Sequence, residues 1–439
     1  MNGIKNMALV NKIKNKVKSL AVDWLISVGL RFNQPILVAF AISLVAGRKD
    51  KSKEITALAF GRSIFTHDIK ALDKFSGRIS YLVIHRRYFS LIFDHFINGP
   101  DRKKITENNY YTENYCQDGK RQYYDFLKKM FPTLKKLIGF DVVLSANFGY
   151  LNQQEFAKIC LEKDVPFIVL HKEGIAVQDS FDDYVRQFKD RKFIGSKIIF
   201  YNNLIKQAFL RVSITGMTED KMAVAGIPRL DYYFTDNPEP EKKVIFFSFF
   251  PKDKFRYQAL DEKTFQLVEE ESEQFHKLVM EFAKNHPDIK VTVMTKLSNH
   301  YVEYVKNILN KYFKESIENL IITNFTDQGD PLDFVKQSIA VIGFHSTTLI
   351  EAIAADRVVI SPDFRGIVGE KAVDYFKDYP SLINYAKTLE DLEKYILNHQ
   401  KYLNIDPEIK RKFLEELIYT PDGQASIRAE NFIIETVNK

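Results

Sequence analysis

The stretch Ala340-Val341-Ile342-Gly343-Phe344-His345-Ser346-Thr347-Thr348-Leu349-Ile350-Glu351-Ala352-Ile353-Ala354-Ala355-Asp356-Arg357-Val358-Val359-Ile360 decides the fold. It reads as a buried apolar strand, a tight polar turn, a short helix and a second apolar strand. Strands covered on both faces become continuous apolar runs, so the pattern specifies a parallel βαβ unit. The turn sits at the carboxyl end of the first strand, where open α/β sheets bind their ligands. His345, Ser346, Thr347 and Thr348 place small donors and backbone N–H groups at a helix start, which favours a phosphate. Glu351, one turn further in, is placed to accept hydrogen bonds from a ribose. Thr348 followed by Glu351 is also a capping box, which accounts for both residues without a ligand.

Outward from this unit the alternation continues. On the amino-terminal side a strand is expected at Val244–Phe250, a helix near 264–284 and a strand at Ile289–Met294. A helix near 300–315, a strand at Leu320–Thr323 and a helix from Pro331 follow. Strands alternating with helices argue for a parallel, doubly wound sheet. Residues 244–400 are therefore read as one Rossmann-like domain and 401–439 as terminal helices. The Pro-rich, charged run 236–243 (DNPEPEKK) reads as a linker. Before it, residues 35–235 are read as a second Rossmann-like domain. Its strands are expected at Asp141–Phe148, Val165–Leu170, Lys197–Tyr201 and Met222–Gly226, with a helix around 152–163. Ile36–Val45 reads equally as a helix or a strand, Tyr81–His85 is strand-like, and 101–122, polar and rich in Tyr and Asn, reads as an excursion over the surface. Two such domains joined by one short linker imply a cleft lined by strand-end loops from both.

Residues 1–34 form a separate unit. Val10, Ile13, Val17, Leu20, Ala21, Trp24, Leu25 and Val28 share a helical face, with Lys12 and Lys16 opposite and Lys14 and Lys18 flanking. A basic amphipathic helix with one Trp suits an anionic membrane surface, giving a peripheral contact through residues 7–28. Packing on its own domain is the alternative.

Composition bounds the function class. A chain of 439 residues with 45% apolar and 27% charged residues has room for two or three ordinary globular cores. The net charge of +6 is mild and forms no basic stripe interleaved with aromatics, so no nucleic-acid partner is expected. Cys116 and Cys160 give neither metal spacing nor a disulfide framework, and the nine histidines are scattered, so no metal site is expected. No secretory signal is read at the start, and no run reaches the ~20 apolar residues of a spanning helix. The expected location is cytoplasmic, at the inner face of the membrane if the opening helix binds lipid.

Three pieces together resemble the GT-B glycosyltransferases of bacterial surface-polysaccharide synthesis, the capsule-type and CDP-glycerol glycerophosphotransferase-like group. They are Gly343, Ser346, Thr347, Glu351 and Ala352 in a G-x-x-S-T-x-x-x-E-A pattern, the run Ala225-Gly226-Ile227-Pro228-Arg229-Leu230-Asp231, and the run Asp422-Gly423-Gln424-Ala425-Ser426-Ile427-Arg428. The resemblance covers roughly residues 140–436. It implies a nucleotide-activated sugar as co-substrate on the carboxyl-terminal domain, with no other cofactor, and a glycan or lipid-linked acceptor on the amino-terminal one. Carried onto this chain, Ser346, Thr347 and Thr348 hold the diphosphate with His345 beside it, and Glu351 holds the ribose. Ser248 and Lys252 add phosphate contacts. Lys296 follows a strand where such families place a basic residue before His-Pro, although here Leu297-Ser298 follows. No D-x-D triplet is present, in keeping with metal-independent chemistry in which preorganised donors stabilise the leaving phosphate. In the first domain His171-Lys172-Glu173-Gly174 ends a strand facing the cleft. Glu173 or His171 is the candidate general base, and Lys172, Asn147 and Arg229 are candidate acceptor contacts. Arg86-Arg87 reads as a contact for an anionic acceptor or, more simply, as a solvated basic turn. The alternatives are a non-hydrolysing sugar-nucleotide epimerase of the same fold and a non-catalytic nucleotide-sugar-binding scaffold.

Overall fold

The computed structural model describes residues 2–175, 181–235, 237–254, 260–325, 331–369, 375–403 and 405–439. Twelve strands form two parallel sheets. The first holds β1 (Ile55–Gly61), β2 (Ile79–His85), β3 (Val142–Ser145), β4 (Phe167–Leu170), β5 (Lys197–Phe200) and β6 (Met222–Val224), in the order β2-β1-β3-β4-β5-β6. The second holds β7 (Glu241–Phe247), β8 (Lys290–Thr295), β9 (Leu320–Asn324), β10 (Ser338–Gly343), β11 (Val358–Pro362) and β12 (Asn384–Ala386), in the order β12-β11-β10-β7-β8-β9. In each sheet the chain reverses its direction of growth once, between β1 and β3 in the first and between β7 and β10 in the second. These switch points open crevices at the carboxyl ends of the strands.

The expected run of strands from Asp141 onward is present, and Ile36–Val45 resolves as the helix Pro35–Ser43. The linker is shorter than 236–243, because β7 already begins at Glu241 and pairs with β10 and β8. The segment 101–122 runs over the surface as expected but is anchored at three buried residues, Ile105, Tyr110 and Lys120. The Tyr110 hydroxyl donates to Glu155 at 3.0 Å, and the helix Gln117–Ile138 starts within the segment. That helix buries Tyr123, Phe126, Leu127, Met130, Leu134 and Ile138 at three- and four-residue spacing against the first sheet.

The opening helix, Asn2–Arg31, docks on the body by a face other than the expected one. Val22, Ile26 and Leu30, four residues apart, are buried, and Arg87 fixes the helix through Asp23 (2.9 Å) and Ser19 (2.5 Å). Val17, Leu20 and Trp24 point to solvent. The last helix, Ala425–Val437, crosses back to the first domain. The Asp231 carboxylate accepts the Ala425 and Ser426 N–H groups at 3.0 and 2.7 Å. Glu430, fully buried, accepts from the Arg78 and Ile79 N–H groups and the Tyr81 hydroxyl. One apolar cluster spans both domains, joining Tyr201, Ile227, Leu230 and Tyr233 to Ile245, Phe247, Leu349 and Ile353.

Candidate functional site

The donor-side residues come from three stretches and meet at one edge of the second sheet. β7 ends at Phe247, β8 at Thr295 and β10 at Gly343; Ser248, Lys296 and His345–Thr348 follow directly. β7 and β10 are neighbours in register, so Ser248 and Phe344 leave the sheet side by side. His345 takes φ of 46°, in the left-handed region that non-glycine residues seldom adopt and that clusters at ligand-binding turns. Its ring lies 4.0 Å from that of Phe344. The Ser346 and Thr348 hydroxyls share a hydrogen bond of 2.7 Å, and Thr347, at the helix start, makes no side-chain cap. Beside them a narrow crevice of ≈ 20 Å³ is lined by His345, Ser361, Arg365, Tyr375 and Tyr385. That volume suits about one water, so a nucleotide needs the crevice to widen.

Other donor-side candidates are engaged elsewhere. The Ser248 hydroxyl lies 2.9 Å from His276 Nε2, and His276 Nδ1 lies 2.7 Å from the Ser272 carbonyl. A carbonyl only accepts, so Nδ1 carries the proton and Ser248 donates to Nε2. Burial lowers the His276 pKa to about 4, which keeps that ring neutral. Lys296 pairs with Asp253 at 3.1 Å on the surface, and Lys252 is exposed on the short helix Pro251–Lys254.

Glu351 and Arg229 meet each other. Glu351 does not close a capping box. Its buried carboxylate accepts from Arg229 Nη2 at 3.3 Å and from the Tyr233 hydroxyl at 3.2 Å. Arg229 Nη1 in turn reaches Asp68 at 3.2 Å and the Tyr201 hydroxyl at 3.1 Å. The residue expected to hold the ribose and one expected to hold the acceptor are thus partners in a buried network joining the domains.

On the acceptor side β4 delivers His171-Lys172-Glu173-Gly174. The His171 side chain turns inward. It is 0% exposed, ringed by Phe148, Phe188, Phe200 and Phe209, and neither ring nitrogen has a hydrogen-bond partner. Burial lowers its pKa to about 4. Glu173 is 41% exposed and pairs with Lys172 Nζ at 3.0 Å. Asn202 holds the loop, donating to the Gly174 and Leu417 carbonyls at 2.8 and 2.9 Å. The Tyr184 hydroxyl donates to the Glu173 carbonyl at 3.2 Å, and Tyr184 is close enough to Tyr375 for their phenols to interact electrostatically. Tyr375 also lines the His345 crevice. Asn147 is buried, its Oδ1 accepting the Gly149 N–H at 2.8 Å.

Two members of this edge escaped the sequence reading. Arg191 pairs with Glu107 at 2.5 Å and donates to Asn108 at 2.7 Å. Burial raises the Glu107 pKa against the pull of Arg191. A Cβ at Gly149 would meet the tips of the Arg191 and Glu107 side chains, which would have to shift to admit it. A Gly two residues beyond Asn147 was the one available signal. Among the described residues no group of three His, Cys, Asp or Glu side chains is placed to hold a metal ion.

No protein-family model matches the chain, and no curated protein matches its sequence. Among solved structures it is similar to the wall teichoic acid polymerase TagF in a variant soaked with CDPG, with TM-score 0.53 and 14% identity over 97% of this chain and 98% of that one. TagF itself gives TM-score 0.52 and 14% identity over the same shares of 97% and 98%. UDP-GlcNAc 2-epimerase from Neisseria meningitidis bound to UDP-GlcNAc gives TM-score 0.46 and 11% identity over 87% of this chain and 99% of that one. The TagF likeness and the two parallel sheets make this a two-domain α/β chain of GT-B-like fold. At these identities the likeness speaks for the fold alone.

Proposed function

We propose that the chain is a metal-independent glycosyltransferase. In this reading it moves a sugar, or a polyol phosphate, from a nucleotide-activated donor to a surface-polysaccharide or lipid-linked acceptor. The observation that supports the reading is that Ser248 and the His345–Thr348 turn leave the neighbouring strands β7 and β10 side by side at the switch point of the second sheet. The donor diphosphate binds the Ser346 and Thr347 hydroxyls and the backbone N–H groups of the turn, which stabilise the charge developing on the leaving phosphate. Glu173, the one carboxylate among the described residues of the β4 loop, takes the proton of the acceptor hydroxyl, with Lys172 fixing its orientation. His171, sealed among phenylalanines, supports the loop from beneath.

The test is the thermal stability of the purified chain against UDP, CMP, CDP, GDP and ADP. A ligand of the folded state at ~100 times its dissociation constant adds about 2.7 kcal/mol. One nucleotide should give that shift, and Ser346→Ala/Thr347→Ala should remove it. If none of the five moves the transition, the donor site is not at this turn.

An epimerase acting on a sugar nucleotide is the second reading. It is favoured by Glu107 standing close enough to Glu173 for their charges to repel, since such chemistry needs several carboxylates around one sugar. Incubation with the stabilising nucleotide's sugar conjugate separates the two, because epimerisation needs no acceptor.

We also propose that the chain rests on an anionic membrane surface through its first two helices. Val17, Leu20, Trp24, Phe32, Ile36, Phe40 and Leu44 are 40–64% exposed and lie along Asn2–Arg31 and Pro35–Ser43, with Lys18 and Arg31 exposed among them. Among the described residues no helix is long and apolar enough to cross a membrane, so the contact is interfacial. Vesicles rich in anionic lipid should sediment the protein, and neutral vesicles should do so less, because the basic residues assist the contact. Trp24→Ala/Phe40→Ala should stay in the supernatant, and equal sedimentation of both proteins would sink the idea.

A further inference from the structure

The first sheet has its own switch point, between β1 and β3, and what lies there is cationic. Arg62 follows β1, Arg86 follows the neighbouring β2 and Tyr150 follows β3. Arg62 Nη1 lies 3.2 Å from the Tyr150 hydroxyl. The Arg86 guanidinium lies over the Tyr150 ring, 4.3 Å from its centroid, and that of Arg62 lies 5.7 Å from the same centroid. Two like charges are thus held against one buried phenol.

The neighbouring cations are already neutralised. Arg87 pairs with Asp23, Arg102 with Asp94 and Arg191 with Glu107. Among the described residues neither Arg62 nor Arg86 forms an ion pair. Burial, and then the charge of Arg62, lowers the pKa of Arg86, and burial with Arg87, Arg86 and Arg62 lowers that of His85. A cavity of ≈ 170 Å³ opens beside Arg86, lined also by Ser90, Tyr150 and Asn152; Arg62 adjoins it through Tyr150 rather than lining it, and the cavity's two carboxylates, Asp94 and Glu107, are the paired ones. Two half-buried guanidiniums that feel Glu107 only while it is paired with Arg191, and form no ion pair of their own, make a receptor for an oxyanion beside an open cavity. The planar fork of arginine matches phosphate in two-point geometry.

We propose that Arg62 and Arg86, backed by Tyr150, bind a phosphate or diphosphate ester at the carboxyl edge of the first sheet, separate from the donor turn. That this ester belongs to the acceptor rests on the transferase reading; the anion site does not. Arg86 is thereby distinguished from Arg87, which anchors the opening helix.

The probe is inorganic pyrophosphate, titrated into the full chain by calorimetry at low ionic strength. Measured in a Ser346→Ala/Thr347→Ala background, which removes the proposed donor diphosphate contacts, Arg62→Gln/Arg86→Gln should weaken it at least about tenfold, a difference of ~1.4 kcal/mol. Arg62→Lys/Arg86→Lys, which keeps the charge and loses the fork, should fall between, and an unchanged circular-dichroism melt certifies each fold. Farnesyl diphosphate in place of pyrophosphate assigns the source: tighter binding places the site on a lipid ester, and equal binding on the phosphate group alone. Undiminished affinity in the folded glutamine variant, or no pyrophosphate binding at all in the donor-turn background, overturns the proposal. The nucleotide series reads the donor turn independently, so either idea can fail without the other.

Discussion

Glu173→Gln should lower turnover by about 10²–10⁴-fold, the usual worth of a general base, and leave the nucleotide-induced stability shift unchanged. Glutamine keeps the shape of the side chain and can still meet Lys172, so the loop held by Asn202 and Tyr184 should survive. It removes only the ability to take a proton. On the barrier this is ~3–5 kcal/mol, at 1.36 kcal/mol per factor of ten. The contrast is His171→Phe. The imidazole it replaces is unexposed, held neutral by burial, and surrounded by four phenylalanine rings that would accept a fifth. Removing a buried polar group that has no partner is close to neutral for stability, so this variant should fold and turn over near the parent rate. A drop for His171→Phe with none for Glu173→Gln would reverse the two roles.

The second domain was legible because its strands are covered on both faces and read as unbroken apolar runs; β10 is buried from end to end. β1 was not. Its sequence, Ile55-Thr56-Ala57-Leu58-Ala59-Phe60-Gly61, is built from residues that serve helices equally well, and only pairing with β2 and β3 makes it a strand. The opening helix is apolar on more than one side, so periodicity marks it amphipathic without saying which face the body covers. Among the candidate residues, the turn that carries Ser346 and Thr347 was legible because motif and strand end coincide in sequence. Glu107 was hidden in a polar run that carries no periodic signal. Two elements of the resemblance turn out to hold each other: Asp231 caps the helix that opens at Ala425, and Arg428 donates to the Ala225 carbonyl at 2.9 Å. Residues that recur together for packing look, in sequence, like residues that recur for chemistry.

The partnership of Arg229 with Glu351, 122 positions apart, is the long-range contact with the largest expected effect on stability. Arg229→Ala should cost about 3–5 kcal/mol, as breaking a buried ion pair from one side does. The guanidinium is 6% exposed; burial works against its charge, yet Asp68, Tyr201 and Glu351 hold its pKa well above the usual range. Alanine would leave two carboxylates, Asp68 at 1% and Glu351 at 8% exposure, facing each other without their cation. The loss is therefore electrostatic, and the same charges supply its control. Adding Asp68→Asn and Glu351→Gln to Arg229→Ala should recover part of the cost, a coupling that packing loss alone cannot produce. Urea denaturation reads both steps; a change below ~1 kcal/mol for Arg229→Ala would place the network among the weak surface pairs. The same network bears on the donor. A ribose that binds Glu351 has to displace Arg229 from it, which loosens the strut between the sheets just as the cleft fills. Arg229→Met, which keeps much of the volume and gives up the charge, should then tighten the stabilising nucleotide while destabilising the unliganded chain. Weaker nucleotide binding in that variant would mean that Glu351 serves the domain interface alone.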